Sequence, residues 1–217
     1  MKSRDRIKVE CLEHRKMLCR RHGLDPKKVE DLHSKIIALL EKALKKDRAL
    51  KMFHESIRHM EPVLHSVEEI EELAEVENMP KKKRLLIELF YYLGASEGVL
   101  SQIVQSIAFI FMGDSHDIYD PQRMKFVKSY RDLDKVSLFV KLQFVEEHGF
   151  KYLTEVYDRK LRNCIAHLKF NLNDDGTITN KITGGKIDEE ILLEEIHKLS
   201  ALGNIVLSSY EEALRLS

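Results

Sequence analysis

The 217-residue chain is 43% apolar and 33% charged, balances 36 Lys+Arg against 36 Asp+Glu, and has few glycines (9) and prolines (4). That composition suits one sizeable helical domain, or a compact domain with a helical extension, and excludes a low-complexity chain. Three cysteines, an odd number with no secretory leader in MKSRDRIKVE, exclude a disulfide framework and point to reduced thiols in a cytoplasm.

A first helix is expected from about Ser3 to His22, stopped by Gly23. Asp25-Pro26 supplies an N-cap and a proline at the first helical position, opening a second helix to about Lys46. Val29, Leu32, His33, Ile36, Leu39, Leu40 and Ala43 give that helix an apolar stripe. A third helix is expected near 49–60, ending before Pro62, and Ser66-Val67-Glu68-Glu69 reads as a capping box for a fourth, acidic helix to about Val76. Residues 1–50 hold 15 Lys+Arg against 8 Asp+Glu, and residues 61–79 hold seven Glu and no Lys or Arg. Lys81-Lys82-Lys83-Arg84 comes at once, behind Pro80. The chain therefore divides at about residue 79, into a basic-to-acidic helical N-terminal region (1–79) and a C-terminal bundle (80–217). Such asymmetry fits a polyanion-binding face and equally fits solvated helix faces.

A long apolar helix is expected over 81–112, bent at Gly94 or Gly98. Glu88, Glu97, Gln102 and Gln105 interrupt its greasy stretch, and carboxylates are costly inside a bilayer, so it reads as a buried core helix and no membrane is expected. Asp120-Pro121 starts a short helix, 132–148 forms another that His148-Gly149 ends, and 150–167 continues as a helix. Phe170-Asn171-Leu172, a turn at Asp174-Asp175-Gly176 and Thr177-Ile178-Thr179 then form a β-hairpin closed by Gly184-Gly185. Asp188 caps a final helix, or pair of helices, to Leu216. The fold class is all-α: a helical bundle interrupted only by the hairpin at about 169–183, which a sheet of three or more strands contradicts.

The segment with the most chemistry is Leu161-Arg162-Asn163-Cys164-Ile165-Ala166-His167. A guanidinium grips phosphate oxygens bidentately and keeps its charge, and an imidazole can move protons to or from a ribose hydroxyl near neutral pH. Five residues apart on a helix, Arg162 and His167 point about 140° apart and sit about 7.5 Å apart along the axis; both face one cleft if His167 lies in a looser final turn. Spacing alone is a weak signal, because Arg15/His22, Arg48/His54 and Arg58/His65 match it loosely too. Arg162/His167 differs in context: Asn163 comes directly after the arginine, small or aliphatic residues precede the histidine, and a polar hairpin lies beyond it. The plainer reading is that both cations cap and salt-bridge a helix end.

RNCIAH with a short hairpin after it resembles the signature of the HEPN family (higher eukaryotes and prokaryotes nucleotide-binding domain), over about 85–217. The resemblance implies an HEPN-like helical bundle that forms a homodimer, with the two motifs meeting across a two-fold axis. It also implies metal-independent endoribonuclease chemistry without a cofactor, on RNA, often as a toxin or defence effector faced by an antitoxin protein; other members are silent binding modules. By the same resemblance Arg162, Asn163 and His167 occupy the catalytic positions, and Glu97 is the candidate for an acidic residue from an earlier core helix.

Lys81, Lys82, Lys83, Arg84 and Lys160 are candidate phosphate contacts, or merely solvated helix turns. Cys11-x2-His14-x4-Cys19-x2-His22 spreads along about 16 Å of one helix, too far for one zinc, whose ligands lie within about 2.3 Å, so no metal is expected. Asp174-Asp175-Gly176 lacks the remaining ligands of a calcium loop.

Overall fold

A computed structural model describes residues 3–46, 51, 54, 55, 58, 59, 62, 63, 65, 66, 69, 70, 72, 73, 76–113, 117–175 and 177–216. The described residues are mostly helical. Helix α1 (Ser3–His22) ends at Gly23, whose φ of +64° only glycine adopts freely. Helix α2 (Pro26–Ala43) starts as its sequence dictates: the Asp25 carboxylate accepts from the backbone N–H groups of Lys27 (2.9 Å) and Lys28 (3.4 Å), and Pro26 holds the first position. Its whole apolar stripe is buried, His33 included.

Helix α3 (Lys81–Leu93), a π-helical segment (Gly94–Leu100) and α4 (Ser101–Gly113) form one long rod. Gly94 and Gly98, where a bend was expected, both lie in this π segment. The rod is apolar enough to cross a membrane by length and composition, yet 78% of its apolar window is buried inside the fold, as in a core helix. Helix α5 (Tyr130–Leu133), α6 (Leu138–Glu147), α7 (Lys151–Glu155) and α8 (Arg159–Ala166) come next, and α9 (Glu189–Leu216) runs through the middle as one unbroken helix. Helix α9 packs on α1, α2, α3 and the π segment; α4 packs on α6, and α3 on α8. At the crossing of α9 with the π segment, a Cβ added to Gly203 would stand 2.6 Å from Val99 Cγ1, so the two backbones approach through a missing side chain.

The core runs without a break from Leu32 on α2 to Ala213 on α9, so the charge boundary at residue 79 is not a gap in the packing. A buried polar network reinforces that junction. Arg15 on α1 donates to Glu212 on α9 (3.0 Å) and to Glu30 on α2 (3.2 Å), and His33 Nδ1 lies 2.8 Å from the Ser209 hydroxyl.

Several expected elements come out differently. In place of a helix at Asp120-Pro121 there is a small hairpin, β1 (Tyr119–Asp120) paired antiparallel with β2 (Lys125–Phe126). The Asp120 side chain accepts from the N–H groups of Gln122 (3.0 Å) and Arg123 (3.3 Å), so it caps a turn where a helix would have started. The expected helix 132–148 is split, because Ser129 and Ser137 each cap a new start, and 150–167 is split where Asp158 caps α8. The hairpin β3 (Phe170–Leu172) and β4 (Ile178–Asn180) gains a third strand, β5 (Lys186–Ile187), which pairs Ile187 with Ile178. That three-stranded sheet corrects the expectation of a lone hairpin: Gly184, at φ +69°, turns the chain back into register instead of ending the pairing. The expected break before Pro62 falls on residues 60 and 61, which lie outside the described residues. Pro62, Val63, His65 and Ser66 are all helical, and the Ser66 hydroxyl donates to the Pro62 carbonyl instead of capping a new helix. Val67 and Glu68, the middle of the expected capping box, and the end of that helix at 74–75 lie outside the described residues, as do 49, 50 and 60 at the ends of the expected third helix.

Candidate functional site

Helix α8 is built to present its polar face. Asp158 Oδ1 accepts from the N–H groups of Lys160 (2.8 Å) and Leu161 (2.9 Å), and its own carbonyl is held by the buried Tyr92 hydroxyl at 3.2 Å. Cys164 and Ile165 face the core, and the Cys164 thiol donates to the Lys169 carbonyl at 3.1 Å; burial pushes that thiol above its ordinary pKa, so it is inert packing.

Arg162 projects from this helix onto the π segment of the rod. Its Nε donates to Glu97 Oε1, and its Nη1 donates to Asn163 Oδ1 at 2.8 Å. The guanidinium is half-buried, and the Glu97 carboxylate holds its proton more firmly than usual. A π turn widens the helix by one residue and rotates the helix beyond it, and such turns gather at functional sites. Here it carries Glu97 to Arg162. Glu97, Arg162 and Asn163, three of the residues singled out in the sequence, therefore form one cluster.

The cluster lines an open cavity of about 730 Å³ between α4, α6, α8 and the β1–β2 turn. Four cations (Lys135, Lys141, Arg159 and Arg162) line it against two carboxylates, Glu97 and Asp134. Lys141 is the group the sequence reading missed. Only 3% exposed, it donates to Ser101 Oγ (3.1 Å) and Gln105 Oε1 (2.7 Å), while the Gln105 amide donates to Asp134 Oδ1. Burial drives its pKa from the ordinary 10.5 down to about 8, against the opposing pull of Asp134 and Glu97. Its signal was present: Leu138, Lys141, Leu142 and Val145 recur at helical spacing, so Lys141 falls on the buried stripe of α6.

His167 is not part of the cavity lining. It is the exposed C-cap of α8, with φ −99° and ψ 14°, and so lies in a looser final turn. Leu168 comes next at φ +51°; its N–H reaches the Ile165 carbonyl (3.0 Å) and that of Lys169 the Cys164 carbonyl (2.8 Å), a Schellman closure with leucine where glycine is usual. A left-handed leucine is strained, and it fixes where the histidine leaves the helix. Within one chain the looser turn does not bring Arg162 and His167 into one cleft.

The candidate phosphate contacts are scattered. Lys81 pairs with Glu189 (3.6 Å) and Lys82 with Asp174 at the β3–β4 turn (2.9 Å), while Lys83 and Lys160 are exposed. Arg84 is half-buried with an Nε that has no partner among the described residues. Cys11, His14, Cys19 and His22 stay strung along one continuous α1. No protein-family model, curated protein or solved structure matches the chain.

Proposed function

We propose that the chain is a metal-independent endoribonuclease of the HEPN type that acts as a homodimer. The observation that carries this reading is the Arg162–Glu97–Asn163 cluster on the wall of a cationic cavity, with an exposed imidazole five residues along the same helix. Two of the five guanidinium donors are engaged, which orients the fork and leaves its remaining N–H groups for phosphate oxygens. Arg162 then holds the scissile phosphate and stabilises the charge that develops on it. Glu97 and Asn163 position that guanidinium. His167 moves a proton at the ribose 2′-oxygen or the leaving group. Attack by the 2′-hydroxyl breaks the P–O5′ bond and leaves a 2′,3′-cyclic phosphate, which is why RNA is cut and DNA spared. Two copies related by a two-fold axis complete a site that one chain leaves open, since His167 and Leu168 are exposed at the helix end.

Purified protein incubated in EDTA with a single-stranded RNA and with DNA of the same sequence tests the reading. Cleavage of the RNA alone, with cyclic phosphate ends, supports it; no cleavage of any RNA overturns it. One observation favours a second reading, a silent helical dimer that binds RNA, a nucleotide or a protein: His167 stands apart from the cavity that holds Arg162. RNA retention without cleavage is its signature.

A further inference from the structure

The deepest cation of the cavity is Lys141, and its surroundings have the chemistry of a built anion site. Its ammonium carries three donors, of which Ser101 and Gln105 take two. Both of these partners are neutral, and among the described residues no carboxylate is in contact to cancel the charge; Asp134 and Glu97 act on it only at longer range. The first turn of α6, Leu138 to Val140, also lines the cavity. The opening N–H groups of an α-helix have no partner within the helix and favour an anion, and Ser137 satisfies that of Val140 alone (3.4 Å). Arg159 completes the lining, its guanidinium carbon over the Phe139 ring at 4.1 Å from the centroid, so the cation is held at the cavity wall.

We infer that the cavity holds a phosphate-binding subsite in which Lys141, the N-terminus of α6 and Arg159 bind a phosphate dianion, whether the end group of an RNA or the phosphate of a free nucleotide. A lysine this buried is costly to keep charged without a counter-ion, and the arriving dianion supplies one. The inference goes beyond the cleavage reading, since it needs neither His167 nor an RNA. Failed RNA cleavage with intact anion binding would therefore overturn the ribonuclease and leave the subsite standing.

The titratable groups that line the cavity with Lys141 are Asp134, Glu97, Lys135, Tyr157, Arg159 and Arg162, and burial brings the lysine down to about 8. Sulfate is a suitable probe because it stays a dianion throughout. Calorimetric titration of the full chain with sulfate should give saturable binding of one ion per chain, weakened roughly tenfold or more in Lys141→Met. In the wild type, affinity should fall as pH rises from about 7 to about 9, through the range where the lysine loses its proton. Adenosine 5′-monophosphate binding more tightly than sulfate assigns the phosphate to a nucleotide; a 5′-phosphorylated RNA that outcompetes both assigns it to an RNA end. Equal sulfate affinity in wild type and Lys141→Met, affinity unchanged over that pH range, or no saturable binding overturns the subsite. The pH series on the wild type decides the matter even if the variant fails to fold.

Discussion

Lys141→Met should stabilise the empty protein near neutral pH, although it removes two hydrogen bonds. Folding moves the lysine pKa from about 10.5 to about 8, chiefly by burial. At about 1.36 kcal/mol for each pH unit of displacement, keeping it charged in the folded chain costs about 3 kcal/mol at pH 7. Methionine has nearly the same length and no charge to desolvate. Against this gain stands the Gln105 carbonyl left without its donor, a loss of about 1–3 kcal/mol, so the net stabilisation is about 1 kcal/mol. The pH dependence is the sharper readout. Between the two pKa values the unfolded lysine still holds its proton while the folded one has released it, so the unfolded chain binds more protons and stability rises with pH. From about pH 7 to about pH 9.5 the wild type should therefore gain about 2 kcal/mol relative to Lys141→Met. Urea unfolding of both proteins at the two pH values measures the difference directly. Parallel stabilities across that range, or a variant that loses as much as a cavity mutant, would refute a buried lysine held charged at a cost.

Gly203→Ala should cost about 1–3 kcal/mol in urea unfolding, because the new methyl meets Val99 Cγ1 at 2.6 Å and valine has little rotamer freedom to yield. Leu168→Gly should stabilise by about 1 kcal/mol in the same assay, by relieving the left-handed leucine; if stability falls instead, Leu168 makes a contact worth more than its strain. Light scattering at micromolar concentration should report a homodimer, and a strict monomer would remove the second copy that the cleavage reading requires.

The sequence revealed most where a local signal decides the structure alone. Gly23 and Asp25-Pro26 each specify a helix end by one residue's own chemistry, and both ends fall where expected. The β3–β4 pairing was legible from its turn, but β5 was not, since two residues of strand have no periodicity to read. Asp120 misled because the same side chain caps a helix or closes an Asx turn, and only the pairing of Tyr119 with Phe126 chooses between them. Among the site residues, Arg162 and Asn163 stood out by their motif, and the resemblance supplied Glu97 before any geometry joined it to Arg162. The helical spacing on α6 marks Lys141 as buried, but that polar groups of α4 wait opposite it is tertiary information. The separation of His167 from the cavity was likewise hidden, because with a five-residue spacing its direction depends on how the last turn closes.

The most direct test of the ribonuclease reading is cleavage of one single-stranded RNA in EDTA by wild type, Arg162→Ala and His167→Ala, each first shown by circular dichroism to be folded. The wild type should cut and both variants should not, with His167→Ala retaining RNA affinity that Arg162→Ala loses, because a neutral imidazole adds little phosphate binding and a guanidinium adds much. Full cleavage by either variant, or an inert wild type, would contradict it.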